Sequence, residues 1–364
     1  MILLKNCDLY TPKHIGITDV LIDNRIIVKI EKDIKENCET IDCFGKIVCP
    51  MFVDGHEHLL DTQFYDPNNI LNSGVGTVVG CLANEQKVED VENLIQITKQ
   101  LSKNYGINAY CLSGSKNFTY DNSKYILEND CVIGIKTALF SHQRPKPNLS
   151  YEKLKENTLS TYNAGIKAGK KVQVHIHLDH PFPRGGKADI EEINSGKLDN
   201  LNWIDKIVEE TGVPYSLFKL THAQKFYNRI LEYANKGCYI DYTAFDGEYD
   251  KRFDCLVDAI KNKRVDLNKI SISSDLGILS MEKGLKEKET PITLLNTIQK
   301  LVLEKGLSLE DVLKMITINA LNPIIEKNEL ITMNIPCKIV IINKNLEIEK
   351  IFCGQELNYN FTIQ

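Results

Sequence analysis

Apolar and polar positions alternate along this chain in two rhythms. Eight short apolar runs read as strands: "IVCPMFVDGH", "VGTVVGCLA", "INAYCLSG", "VIGIKTALF", "VQVHIHLD", "LFKLTHA", "CYIDYTAF" and "ISISSD". They are dense in β-branched and aromatic residues, as half-buried or buried strands are. Between several of them, apolar residues recur three and four apart, as in Val88–Asn104 and Tyr151–Ala168, which predicts amphipathic helices. This makes eight βα units in the middle of the chain, over about the 250 residues that a (β/α)8 TIM-type barrel takes. A doubly wound open sheet produces the same alternation, and periodicity alone does not choose between them.

The two ends follow a different pattern. "DVLIDNRIIVKI" is two β-rich runs around a polar turn at Asp23–Arg25, and "ETIDCFGKIVCP" follows with a glycine turn. The C-terminal "CKIVIINKNLEIEKIFCGQELNY" is again β-rich, with a turn at Asn343–Asn345. The expected class is α/β, with a small β-sandwich module built from both chain ends, residues 1–46 and 330–364. The barrel takes residues 47–329, and a long helical tail, Pro291–Lys327, closes it and leads back to the module.

Composition narrows the field. Of 364 residues, 43% are hydrophobic and 26% charged, the balance of an ordinary soluble globular protein. A net charge of −5 supplies no basic field for nucleic acid. No apolar run reaches the length of about 18 residues that a membrane span needs. The start, "MILLKNCDLYTPKH", lacks the marks of a signal peptide and is expected to be mature structure. The 11 cysteines are odd in number, form no C-x-x-C pair and lie mostly in apolar runs. They read as reduced core residues of a cytoplasmic protein.

Charged and imidazole side chains cluster at the strand ends. His56 and His58 end the first strand, Lys136 lies within the fourth, His175 and His177 end the fifth, His222 the sixth and Asp275 the eighth. The C-terminal ends of parallel barrel strands are where such a fold gathers its chemistry. Residues two apart on a strand share a face, so His56 and His58 can chelate one ion. Each residue also has a bland reading: a hydrogen-bonded core histidine, a capping aspartate, a snorkelling or ion-paired lysine. Burying an ammonium among "VIGI" and "TALF" is costly. Reaction of the amine with carbon dioxide turns that cation into a carbamate anion able to bridge two metals. The charges then balance: two divalent ions against the carbamate, Asp275 and a hydroxide, with neutral histidines filling the shell. Imidazole and carboxylate donors suit Zn²⁺ best.

This set of H-x-H, Lys, His, His and Asp in strand order resembles the amidohydrolase superfamily. Within it, "VGTVVGCL", "INAYCLSGS", "VIGIKTALFSHQ", "KLTHAQ", "KGCYIDYTA" and "ISISSD" are similar to isoaspartyl (beta-aspartyl) dipeptidase, across about residues 47–280. The resemblance implies a metal-dependent hydrolase, a metalloprotease-like enzyme acting on C–N bonds. His56 and His58 would bind one ion, His177 and His222 the other, with the Lys136 carbamate bridging. Asp275 would complete the coordination of the first metal and carry a proton from the attacking water to the leaving nitrogen. His175, one pleat below His177, would support.

The substrate side departs from the dipeptidase pattern. The glutamate expected after H-x-H is missing from "LLDTQFYDPN". Lys116 stands where a tyrosine is expected, with Tyr120 nearby. Gln143 and its neighbour Arg144 stand for one arginine, Lys225 for another, and Leu279 for a serine. Lys116, Arg144 and Lys225 are the expected substrate contacts, and the long loop carrying Arg184 and Lys187 forms part of a different pocket or a solvated surface. The substrate is a small molecule, dipeptide-like or a cyclic amide as in dihydroorotases and hydantoinases. A lactonase and a catalytically silent relative are the alternatives. A homo-oligomer is compatible with the resemblance, and neither nucleic acid nor membrane is expected as a partner.

Overall fold

The computed structural model describes residues 1–58, 66–82, 88–114, 122–139, 149–178, 200–245, 249–277, 292–322, 324 and 330–353. Two sheets organise them. The first is mixed and draws on both ends of the chain: β1 (Ile2–Tyr10), β2 (His14–Asp23), β3 (Ile26–Glu31), β4 (Glu39–Asp42), β5 (Ile47–Pro50), β14 (Lys338–Ile342) and β15 (Ile348–Cys353). Its order is β15-β14-β5-β1-β2-β3, with β4 on β1. The β2–β3 turn puts Asn24 and Arg25 in left-handed backbone, at φ 46° and 68°, the geometry that suits a tight hairpin. Leu4, Leu9, Val20, Ile27, Val48, Ile339 and Ile341 form its core.

The second sheet has eight parallel strands in sequence order: β6 (Phe52–Glu57), β7 (Val75–Cys81), β8 (Asn108–Ser113), β9 (Val132–Ala138), β10 (Gln173–His177), β11 (Phe218–Thr221), β12 (Tyr239–Thr243) and β13 (Ile270–Ser273). Two backbone bonds join the last strand's end to the first: Asp275 N donates to His56 O at 3.0 Å, and His58 N to Leu276 O at 2.7 Å. The sheet is therefore a nearly closed TIM-type barrel, and the open-sheet alternative is excluded. Every residue of β6, β7, β9, β10, β11 and β13 is buried. Helices cover one side of each strand and the barrel interior the other, so the strands read as near-continuous apolar runs.

The run Ile47–Val53, read as one strand, is two. Ile47–Pro50 pairs with β14 and β1 in the mixed sheet, and the barrel begins at Phe52. Proline and the chain's change of direction separate them, which an unbroken apolar pattern does not reveal.

The helices follow their periodicity. Val88–Tyr105 buries Val91, Leu94, Ile95, Thr98 and Leu101, one stripe of a helical face. Tyr151–Ala168 opens on Ser150, whose side chain accepts from Lys153 N, and ends at Gly169 with φ 66°. The expected single tail is broken. Ile292–Gln299 continues as a π turn over Lys300–Glu304, stops at Gly306 (φ 68°), and restarts at Leu309–Met315 under a Ser308 cap, followed by Ile318–Leu321. Gly134 has a packing duty: a Cβ there would lie 1.9 Å from Gln173 O, so β9 and β10 approach only around a glycine. All 11 cysteines are free. Among the described residues no helix is long and apolar enough to cross a membrane.

Candidate metal centre

The strand-end residues converge at the C-terminal mouth of the barrel. His56 and His58 are each 1% exposed, Lys136 0%, His177 2% and His222 4%. The Asp275 side chain is the most open of the set at 19%. Asp275 Oδ1 lies 3.5 Å from His56 Nε2 and 3.4 Å from His58 Nε2, and its Oδ2 lies 3.6 Å from His222 Nδ1. Lys136 Nζ sits 2.8 Å from His56 Nε2 and 3.4 Å from Thr221 Oγ1. The His177 and His222 ring centroids are 4.2 Å apart.

The tautomers follow from the partners. His58 Nδ1 lies 2.8 Å from Cys81 O, and a carbonyl can only accept, so Nδ1 carries the hydrogen. A neutral His58 then turns the Nε2 lone pair toward the Asp275 carboxylate. Two acceptors facing each other at 3.4 Å require a cation between them, either a proton or a metal. Separations of 3.4–3.5 Å also match the edge, roughly 3.4 Å, between two ligands on a tetrahedral ion with ~2.1 Å bonds. Ligand atoms of His56, His222 and Asp275 all lie within 4.8 Å of one another, as do those of His56, His58 and Cys81. The donor set fits a divalent ion.

The electrostatics agree. Burial, with Lys136 beside it, holds His56 well below the usual imidazole range, so its ring is neutral. Burial also pushes His58 down, but Cys81 and Asp275 outweigh it and raise its pKa to about 10. Against burial, His222 and His58 hold the Asp275 carboxyl below its usual range.

His222 and Asp275 share a backbone peculiarity. Both are in left-handed backbone, at φ 66° and 55°. That conformation costs a non-glycine residue about 1–2 kcal/mol, and such strain concentrates where a side chain must be aimed. Thr243 Oγ1 fixes the His222 ring at 2.8 Å from Nδ1.

The fifth strand separates its two histidines. His175 Nε2 contacts Gln173 Oε1 at 2.9 Å, and the Gln173 amide donates to Asn322 O, so that nitrogen is engaged below the site, while the ring lies 6.3 Å from that of His56. His177 is the one that meets His222. Of the substrate-side residues, Lys225 follows His222 in the turn Ala223–Phe226, half-buried, its N donating to His222 O at 3.2 Å. Lys116, Tyr120, Gln143, Arg144, Arg184, Lys187 and Leu279 lie outside the described residues.

Sequence reasoning missed several polar residues inside the barrel. Asp54 is 1% exposed, Lys219 0% and Asp241 1%. The signal was present: Asp54 shares a strand face with His56 and His58, and "LFKLTHA" buries a lysine as "VIGIKTALF" does. Cys81, whose Sγ lies 3.6 Å from His58 Nδ1, was read only as a core residue.

No protein-family model matches the chain. The crystal structure of a beta-aspartyl dipeptidase from the thermophilic keratin degrader Fervidobacterium islandicum AW-1 superposes with a TM-score of 0.76 at 25% identity, covering 99% of this chain and 100% of that one. The chain therefore shares the fold of that enzyme over nearly its whole length. A D-hydantoinase from a Thermus species matches at a TM-score of 0.65 and 14% identity over 94% of this chain and 86% of that one, a likeness of fold alone. A dihydroorotase from Clostridium acetobutylicum is 37% identical over 105 residues, 26% of this chain and 25% of its own length. The chain thus matches about a quarter of the length of the curated amidohydrolase relatives.

Proposed function

We propose that this chain is a binuclear metal-dependent amidohydrolase of the isoaspartyl dipeptidase kind. The carrying observation is the convergence of His56, His58 and Asp275 on one point at the barrel mouth, with Lys136 and His222 around it. His56, His58 and Asp275 would hold one divalent ion, His177 and His222 the second, and Lys136 as its carbamate would join them. Bound there, the ions, zinc by donor chemistry, supply Lewis acidity and a water nucleophile at neutral pH.

The chain's own residues do the rest. Lys136 would lose one proton to become an amine, form a C–N bond to carbon dioxide and release a second proton, which replaces a buried cation with an anionic carbamate where imidazoles surround it. Asp275, at 19% exposure, is the carboxylate that can take a proton from the attacking water and return it to the leaving nitrogen. The buried, neutral His56 holds its place without competing for that proton. Lys116, Arg144 and Lys225 are the cations for the substrate's carboxylates. Eleven free cysteines fit a reducing compartment, the cytoplasm.

The neighbouring Fervidobacterium enzyme has been crystallised with a beta-Asp-Leu dipeptide, which supports an isoaspartyl dipeptide as substrate. The dihydroorotase match supports cyclic amides as a second reading. Zinc-loaded protein offered isoaspartyl dipeptides, N-acyl amino acids, cyclic amides and lactones tests both. Hydrolysis of the first class with two metal equivalents is expected. No turnover, with less than one equivalent bound, would favour a silent relative.

A further inference from the structure

The motif "SISSD" places three serines just before Asp275, and each hydroxyl is held by a buried carboxylate on a neighbouring strand. Ser271 Oγ donates to Asp241 Oδ1 at 2.6 Å, and Ser273 Oγ donates to Asp241 Oδ2. Ser274 donates its backbone N to Asp54 Oδ1 at 2.9 Å and its Oγ to Asp54 Oδ2. Asp241 belongs to β12 and Asp54 to β6, the two strands on either side of β13 at the barrel's seam. None of these five residues is more than 5% exposed.

The grip ends where the site begins. Asp275 takes up left-handed backbone at φ 55°, its N donating to His56 O. Leu276 N then returns to Ser274 Oγ at 3.2 Å, and Leu276 O receives His58 N. Asp54 also receives His56 N at 3.5 Å, so one carboxylate touches the backbone beside both sides of the site. Two buried carboxylates need a counter-charge, and Lys219 brings it. Its Nζ lies 3.9 Å from Asp241 Oδ1 and donates to Ala320 O at 2.9 Å. Gly55 makes the room, since a Cβ there would stand 2.9 Å from that Nζ.

We infer that Asp54 and Asp241 are positioning residues which, through Ser271, Ser273 and Ser274, set the left-handed pose of Asp275 and aim its carboxylate at His56 and His58. The catalytic consequence rests on the proposed role of Asp275; the structural claim does not. A hydroxyl that merely fills the seam could be lost without moving Asp275. A hydroxyl that sets its pose could not.

Ser274→Ala is the first test, because it removes only the two hydroxyl bonds, to Asp54 Oδ2 and from Leu276 N, and keeps the backbone bond to Asp54. In metal-free crystals of the variant, Asp275 Oδ1 should leave its 3.4 Å contact with His58 Nε2. An unchanged contact overturns the inference, whatever the protein's activity. In cobalt-loaded protein, kcat should fall about tenfold to a hundredfold with KM nearly unchanged, since misplacement near 1 Å has that effect. The visible cobalt spectrum should shift while Tm holds. Asp54→Asn keeps an oxygen for Ser274 N and should fall between wild type and Ser274→Ala. Wild-type kcat and spectrum in Ser274→Ala would refute positioning. A wild type that binds no cobalt would refute the hydrolase reading instead, and the metal-free structure would still decide the placement.

Discussion

Lys136 and Lys219 lie on either side of His175, in register with it across β9, β10 and β11, and both are fully buried. They nevertheless serve different neighbourhoods. Lys219 points into the lower interior, where a carbonyl accepts from it and Asp241 stands nearby. Lys136 reaches the upper tier, with an imidazole nitrogen and a threonine hydroxyl against its Nζ. An ammonium among carboxylates is a structural counter-ion. An amine beside imidazoles is, in the proposed function, the group that would take up carbon dioxide. A buried lysine therefore acquires its meaning from its partners, and burial alone does not say which kind it is.

Lys136→Met attacks the upper tier directly. Turnover should fall by about 10⁴-fold, some 5.4 kcal/mol of barrier at 1.36 kcal/mol per decade, with metal content reduced and Tm close to wild type. If Lys136→Met keeps two metal equivalents and its rate, the contrast between the lysines is wrong. Asp275→Asn comes next. It should keep metal and lose about 10²–10³ in kcat, the share of a proton carrier; full activity would remove Asp275 from that role.

Lys219→Met should act on stability instead. It leaves Asp241 and Asp54 buried without their cation, which costs about 3–5 kcal/mol in denaturant melts, while kcat of the folded fraction changes less than about tenfold. An equal loss of rate in the two lysine variants would erase the distinction. The pH dependence sharpens it. Burial holds the Lys219 pKa below the usual lysine range. Between that lowered value and about 10.4 the unfolded chain binds the extra proton, so the wild type should gain stability relative to Lys219→Met as pH rises through that window. A falling difference would mean that the folded chain favours the ammonium. The smallest effect belongs to Thr243→Val. Loss of the bond to His222 Nδ1 should weaken metal binding about tenfold, in the manner of a group that orients a ligand, measured by competition with a chelator.

Much of this architecture was legible beforehand because strands buried on both faces leave unmistakable apolar runs. Seven of the eight barrel strands fall within the runs that predicted them, and Phe52–Glu57 takes the second half of the first run. A polar residue interrupting such a run is conspicuous, which is why Lys136, His56 and Asp275 stood out. Asp54, Asp241 and the serines of "SISSD" did not, although they interrupt the same runs. Short polar residues are ordinary at strand ends and turns, so nothing local distinguishes a cap from a clamp. The break at Met51 was hidden for a related reason: an apolar strand leaving one sheet looks like an apolar strand entering the next.

The chain's pattern by itself determined the strand count, the alternation with helices and the residue types at each strand end, because burial acts on every residue locally and leaves a period. Closure at the β6–β13 seam, the separation of His177 from His175, and the pairing of Asp54 with Ser274 were decided only in three dimensions. Those contacts join positions as many as 220 residues apart, and no periodicity encodes a partner at that distance.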